Sequence, residues 1–189
     1  MNKNLILFHG KPKKERFLNP NFPKPNRANW FPYVMKEVAK LGVSSYAPLL
    51  PRPYDPNRED LLATFRAQPI YENSILAGHS MGGRIILEGM TLHSELVVDS
   101  IICVAPWTDP RGNYPGLGGM VVDPALIERS KRGMTVFYSS EDDDQALESL
   151  EIIHGLFPAA KYRDIPAYGH FMLGNKMVSP EFPEILEEL

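Results

Sequence analysis

Six short apolar runs separated by stretches of helical period constrain this chain more than any other feature. The runs are 5–8, 43–47, 74–77, 97–104, 135–139 and 161–165. They are apolar almost throughout instead of alternating, as strands covered on both faces should be. Between them, 30–41, 58–66, 82–93, 145–157 and 180–189 carry apolar residues at helical spacing, with Tyr33, Val34, Glu37, Val38 and Leu41 as one mostly apolar stripe and Pro180 suited to a first turn. This alternation predicts an α/β fold: a three-layer α/β/α sandwich on a mostly parallel sheet of about six strands. A length of 189 residues, 43% of them hydrophobic, suits a single domain over residues 1–189 with one continuous core, and no linker or repeat divides it.

Charge and cysteine content remove several classes of function. A net charge of −3 points neither to nucleic acid nor to a membrane surface as partner. The one cysteine, Cys103, lies in an apolar run and reads as a small core residue; it excludes an internal disulfide framework and fits a reducing compartment. The N-terminal apolar run is too short for a secretory leader, and no stretch has the length of a membrane span. A cytoplasmic location is therefore expected. No histidine pair has metal-ligand spacing, so neither a metal nor a cofactor is expected.

The segment Gly78-His79-Ser80-Met81-Gly82 stands between an apolar run and a helical stretch. That strand–turn–helix setting is what gives a G-x-S-x-G pattern its meaning. A turn sharp enough to lift a serine above a sheet forces strained backbone angles and brings positions two residues apart together, so side chains at Gly78 and Gly82 would clash. Ser80 is the candidate nucleophile. His79 reads as pointing away from Ser80 in a structural role.

A serine hydroxyl needs a base to take its proton. Of five histidines, His93 and His154 fall in helical stretches, whereas His170 follows the last apolar run in Ala167-Tyr168-Gly169-His170-Phe171. His170 is the candidate base. Its orienting carboxylate is expected one strand earlier, within Glu141-Asp142-Asp143-Asp144, in the chain order Ser, Asp, His. Two amides are needed for a developing oxyanion. That of Met81 is one, and that of Lys11, with Gly10 as the alternative, is the other, because Phe8-His9-Gly10-Lys11 closes the first apolar run.

With these residues in place the chain resembles a small α/β-hydrolase, in particular the family of retinoblastoma-binding protein nine and its bacterial serine-hydrolase relatives. The resemblance spans nearly the whole chain, through Trp30-Phe31-Pro32-Tyr33, Gly78-His79-Ser80, the acid cluster and Gly169-His170-Phe171. In that family the acid is the second of an Asp-Asp pair at the strand end, which implies Asp143. Family members commonly continue with proline; here Asp144 and Gln145 follow, which keeps Asp142 and Asp144 open. The retinoblastoma-binding Leu-x-Cys-x-Glu pattern is absent, and that partner is not carried over.

Segment 105–133 has room for loops and one short helix near 124–131, but hardly for a lid domain. This predicts a minimal hydrolase with an open, shallow site and a small-molecule ester as partner. Cleavage would run through an acyl-serine; a thioesterase, a peptidase or a catalytically weak binding module on the same fold are the alternatives. Trp107 and Tyr114 are candidates for the acyl pocket or for packing beneath the loop. The proline-rich loops 11–29 and 48–56 follow the first two strands and are candidate site walls. The first holds Lys11, Lys13, Lys14, Arg16, Lys24 and Arg27 against only Glu15. Such a loop overhanging the site would favour acidic acyl or leaving groups; otherwise it is a solvated basic surface.

Overall fold

The computed structural model describes residues 3–189; Met1 and Asn2, which open the stretch weighed as a leader, lie outside the described residues. One sheet runs through the protein, built from β1 (Asn4–Phe8), β2 (Ser44–Tyr46), β3 (Ser74–His79), β4 (Ser100–Val104), β5 (Met134–Tyr138) and β6 (Lys161–Asp164). The strand order is β2-β1-β3-β4-β5-β6, and every neighbouring pair is parallel.

The apolar runs form central strands because both faces of the sheet are covered. Along β1, Ile6 and Phe8 enter one core, together with Leu61 and Phe65 of α3 (Arg58–Arg66), Ile85 and Ile86 of α4 (Met81–Leu92) and Ile153 of α5 (Asp144–Leu156). Leu5 and Leu7 enter the other, against Phe31, Val34 and Val38 of α2 (Phe31–Lys40) and Ile185 of α6 (Pro183–Leu186). Cys103 is buried in the first core, and burial pushes its thiol pKa up to about 12. It is a packing residue.

The two edge strands depart from the expectation of full cover. Ser44, Tyr46, Lys161 and Asp164 are exposed, because each edge strand has a neighbour on one side only. Two boundaries also move, and one element is added. Val98 makes only an isolated bridge to Ser130, so β4 starts at Ser100. The last helix begins at Pro183, not Pro180: Pro183 lacks an N–H to bond backward, and Phe182 before it is non-helical (φ −134°, ψ 73°) and fully buried. Loop 11–29 contains a short helix, α1 (Lys14–Leu18), with no buried residue and hence no apolar period to announce it.

Segment 105–133 carries one 3-10 turn, Pro124–Arg129, and no lid domain. Among the described residues no helix is long and apolar enough to cross a membrane. The chain leaves β1 toward β2 on one side and returns to β3 on the other. That reversal opens a crevice above the C-terminal ends of β1 and β3.

Candidate active site

Ser80 sits in that crevice, directly after β3 and before α4, with φ 53° and ψ −120°. For a non-glycine residue this region costs on the order of 1–3 kcal/mol. The surrounding backbone holds it there. Ser80 N–H donates to the Val104 carbonyl at 2.9 Å, and the Ser80 carbonyl accepts from Gly83 at 2.9 Å and Trp107 at 3.1 Å. A Cβ on Gly82 would overlap the Phe8 carbonyl, and one on Gly78 would overlap the Gly82 backbone. The two glycines are thus what lets the turn close against β1.

Ser80 Oγ lies 3.1 Å from His170 Nε2. His170 Nδ1 lies 2.9 Å from Asp142 Oδ2 and 3.1 Å from Oδ1. The carboxylate can only accept, so Nδ1 carries the proton and Nε2 is free to accept from the serine hydroxyl. The Asp142 side chain is 3% exposed, and its Oδ1 also accepts from the Asp143 amide at 2.8 Å.

The expected acid, Asp143, is therefore displaced by its neighbour. Asp143 is exposed and is the N-cap of α5, where its Oδ1 accepts from Ala146 N–H at 3.0 Å. A carboxylate folded back onto a helix N-terminus does not also turn toward His170, and the residue before it does. Asp144 is the first residue of α5 and exposed. The ligand atoms of Asp142, Asp143 and His170 lie within 4.8 Å of one another. They are engaged with each other and with Ala146, which makes this a hydrogen-bonded relay and a poor open ligand set for a metal.

Two further histidines support the crevice from below. Leu50 N–H donates to His9 Nε2 at 3.0 Å, which leaves the His9 Nδ1 proton to donate to the Gly10 carbonyl at 2.8 Å. The Gly10–Lys11 peptide is trans, so this bond also sets the direction of the Lys11 N–H. Gly10 is packed so closely that a Cβ there would meet Ser80 Cβ at 2.8 Å. His79 donates from Nε2 to the His170 carbonyl at 2.9 Å. Burial holds the pKa of His9 down at about 4 and that of His79 at about 3, so both imidazoles are neutral. The bond from His9 to loop 48–56 gives no sequence signal beyond the placement of His9 at a strand end.

Two cavities flank Ser80. The smaller, about 190 Å3, is bounded by Lys11, Trp107, Asn113, Tyr114, Asp143 and His170. Trp107 and Tyr114 therefore line the site and also pack edge to face with centroids 5.5 Å apart. The larger, about 500 Å3, is roofed by loop 11–29 and lined by Lys11, Lys13, Arg16, Phe17, Phe31 and Leu173, among others. Much of the wall of the larger cavity comes from the loop after β1, the first of the two proline-rich candidate walls. A third hollow of about 520 Å3 between Thr108 and Leu156 borders neither Ser80 nor His170.

Arg84 was not distinguished by its sequence setting beyond lying on the helix after the turn. It is 1% exposed and donates to the carbonyls of Thr108, Leu117 and Gly118 at 2.8–2.9 Å and to Glu88 at 3.2 Å. Glu88 in turn accepts from Arg58 and the Val121 amide. This network ties the loop that carries Trp107 and Tyr114 to α4. An Arg and a Glu four residues apart in an otherwise apolar helix are the signal that marks it.

A family model described as the Alpha/beta hydrolase family matches residues 5–188. Solved structures share the fold. The ydeN gene product of B. subtilis superposes with a TM-score of 0.80 at 21% identity, covering 99% of this chain and 96% of that one. A pyrethroid hydrolase from Sphingobium faniae JZ-2 gives 0.62 at 16% identity, over 100% and 97%. An esterase from Rhodococcus sp. ECU1013 gives 0.58 at 15% identity, over 99% and 88%. A search of curated proteins finds no match. These likenesses hold at the level of the fold and the broad family; the narrower resemblance to the retinoblastoma-binding protein nine group is not what they carry.

Proposed function

The chain belongs to the alpha/beta hydrolase family, and from that membership we propose that it is a serine hydrolase cleaving small carboxylic esters through an acyl-serine. The observation that carries this reading is the unbroken hydrogen-bond chain Ser80 Oγ, His170, Asp142. In the proposed reaction Ser80 Oγ attacks the ester carbonyl as its proton passes to His170 Nε2. The Asp142 carboxylate stabilises the imidazolium so formed. The carbonyl oxygen becomes an oxyanion held by the amides of Met81, at the N-terminus of α4, and Lys11, whose direction His9 sets. Collapse expels the alcohol, which takes the His170 proton. Water, deprotonated by His170, then attacks the acyl carbon, and release of the free acid restores Ser80.

The preference for esters is supported by the small cavities beside Ser80, and two structural neighbours are an esterase and a pyrethroid hydrolase. The lone, buried Cys103 fits work in a reducing cytoplasm. A panel of p-nitrophenyl esters, acyl thioesters and short peptides, each assayed with the native protein and Ser80→Ala, tests the reading. Turnover of esters above the other two classes, lost in Ser80→Ala, is expected. A rate unaffected by the substitution would contradict it.

A further inference from the structure

Eleven of the chain's 20 Lys and Arg side chains form ion pairs among the described residues. Of the nine that do not, six fall in the 17 residues 11–27 that cover the larger cavity. Four of these six cations are held without being neutralised. Lys11 Nζ lies 4.5 Å above the Tyr114 ring, the Arg16 guanidinium 5.3 Å from Phe22, Lys14 5.7 Å from Tyr54 and Lys24 4.6 Å from Phe17. Stacking on an aromatic face fixes a cation while leaving its charge available.

The two cavities beside Ser80 differ in charge balance. Lys11 and Asp143 both stand on the wall of the smaller one and offset each other. The larger has Lys11, Lys13 and Arg16 on its wall and no Asp or Glu among its described lining residues. Much of the remaining lining is apolar, with Phe17, Phe31, Met172, Leu173 and three prolines, beside the neutral polar side chains of Asn29 and Asn175. In a protein of net charge −3, an unpaired cationic roof over an apolar chamber selects against a neutral hydrophobic ligand and for one with a charged end.

We propose that the larger cavity receives the carboxylate-bearing end of the substrate, its charge facing Lys13 and Arg16 and its apolar spacer running back to Ser80. This rests on the serine-hydrolase reading and names its substrate class: esters with a carboxylate some carbons away from the scissile bond, on the acyl or the alcohol side.

Two matched pairs test it. Mono-p-nitrophenyl adipate against p-nitrophenyl hexanoate places the carboxylate on the acyl side. The butyrate ester of 6-hydroxyhexanoate against hexyl butyrate places it on the alcohol side. In one pair the anionic member is expected to have a kcat/KM about tenfold higher at low salt. That ratio should fall toward parity in Lys13→Gln/Arg16→Gln and in high salt, and persist in Lys36→Gln/Arg66→Gln, whose exposed cations lie elsewhere. No anionic preference in either pair, or one that survives the Lys13/Arg16 change, overturns the proposal while leaving the serine chemistry intact. A protein that turns over no ester overturns the chemistry instead. The cavity is then decided by calorimetry with adipate: binding about tenfold weaker in Lys13→Gln/Arg16→Gln upholds the anionic site, and equal binding refutes it.

Discussion

His170 Nδ1 stands 2.9 Å from Asp142 Oδ2, while the next residue, Asp143, has turned back to cap α5 through Ala146. One residue thus separates the carboxylate that faces His170 from the one that caps α5. Asp142→Asn should lower kcat by about 10,000-fold, since an amide there favours the wrong imidazole tautomer. Asp143→Ala should instead cost about 1 kcal/mol of stability through the lost cap, with a far smaller loss of rate. Comparable kcat for the two variants would contradict this assignment.

His9 fixes the Gly10–Lys11 peptide from beneath the site. His9→Phe leaves the Leu50 amide and the Gly10 carbonyl without that partner and frees the peptide to rotate. A fall in kcat of about 100-fold is expected, the usual effect of losing one oxyanion donor, with KM little changed. Full kcat in a folded His9→Phe protein would show that the Lys11 amide does not serve the reaction.

Acid should destabilise the fold before its carboxylates titrate. His9 and His79 stay neutral in the folded protein down to about pH 4 and about pH 3, whereas in the unfolded chain they protonate near 6.5. The unfolded state therefore binds more protons below that value, and stability is lost as pH falls through it. Each histidine contributes a slope of up to about 1.4 kcal/mol per pH unit. Urea midpoints measured between pH 6.5 and about 4 should decline, less steeply in His9→Phe. Identical slopes would exclude His9 as a source.

Arg84 joins α4 to the loop over the smaller cavity. Arg84→Met strips partners from three carbonyls and leaves Glu88 buried with only Arg58 as counter-charge. Breaking such a pair costs about 3–5 kcal/mol, which chemical denaturation would measure directly. A change below about 1 kcal/mol would mean that the network is dispensable.

The central strands were legible because burial on both faces leaves an unbroken apolar run, as in β1 and β4. The edges β2 and β6 were legible only as approximate runs, since one side meets solvent. The short helix α1 buries nothing and so left no period to read. That Ser80 and His170 would lie side by side followed from strand-end positions. The acid did not, because four adjacent carboxylates share one polarity and only backbone direction separates them. A helix-capping argument would have given Asp143 to α5 and thereby moved the partner of His170 to Asp142. Loop 11–29 was legible as a candidate wall from its place after β1, and it does line the larger cavity; its helix was not, since prolines and charges carry no periodic signal.

Labelling with a fluorophosphonate, read by intact-protein mass and peptide mapping, tests the central claim most directly. One adduct per chain on Ser80 is expected, absent in Ser80→Ala and much slowed in Asp142→Asn. An adduct that persists in Ser80→Ala, or none on the native protein, would contradict Ser80 as the nucleophile.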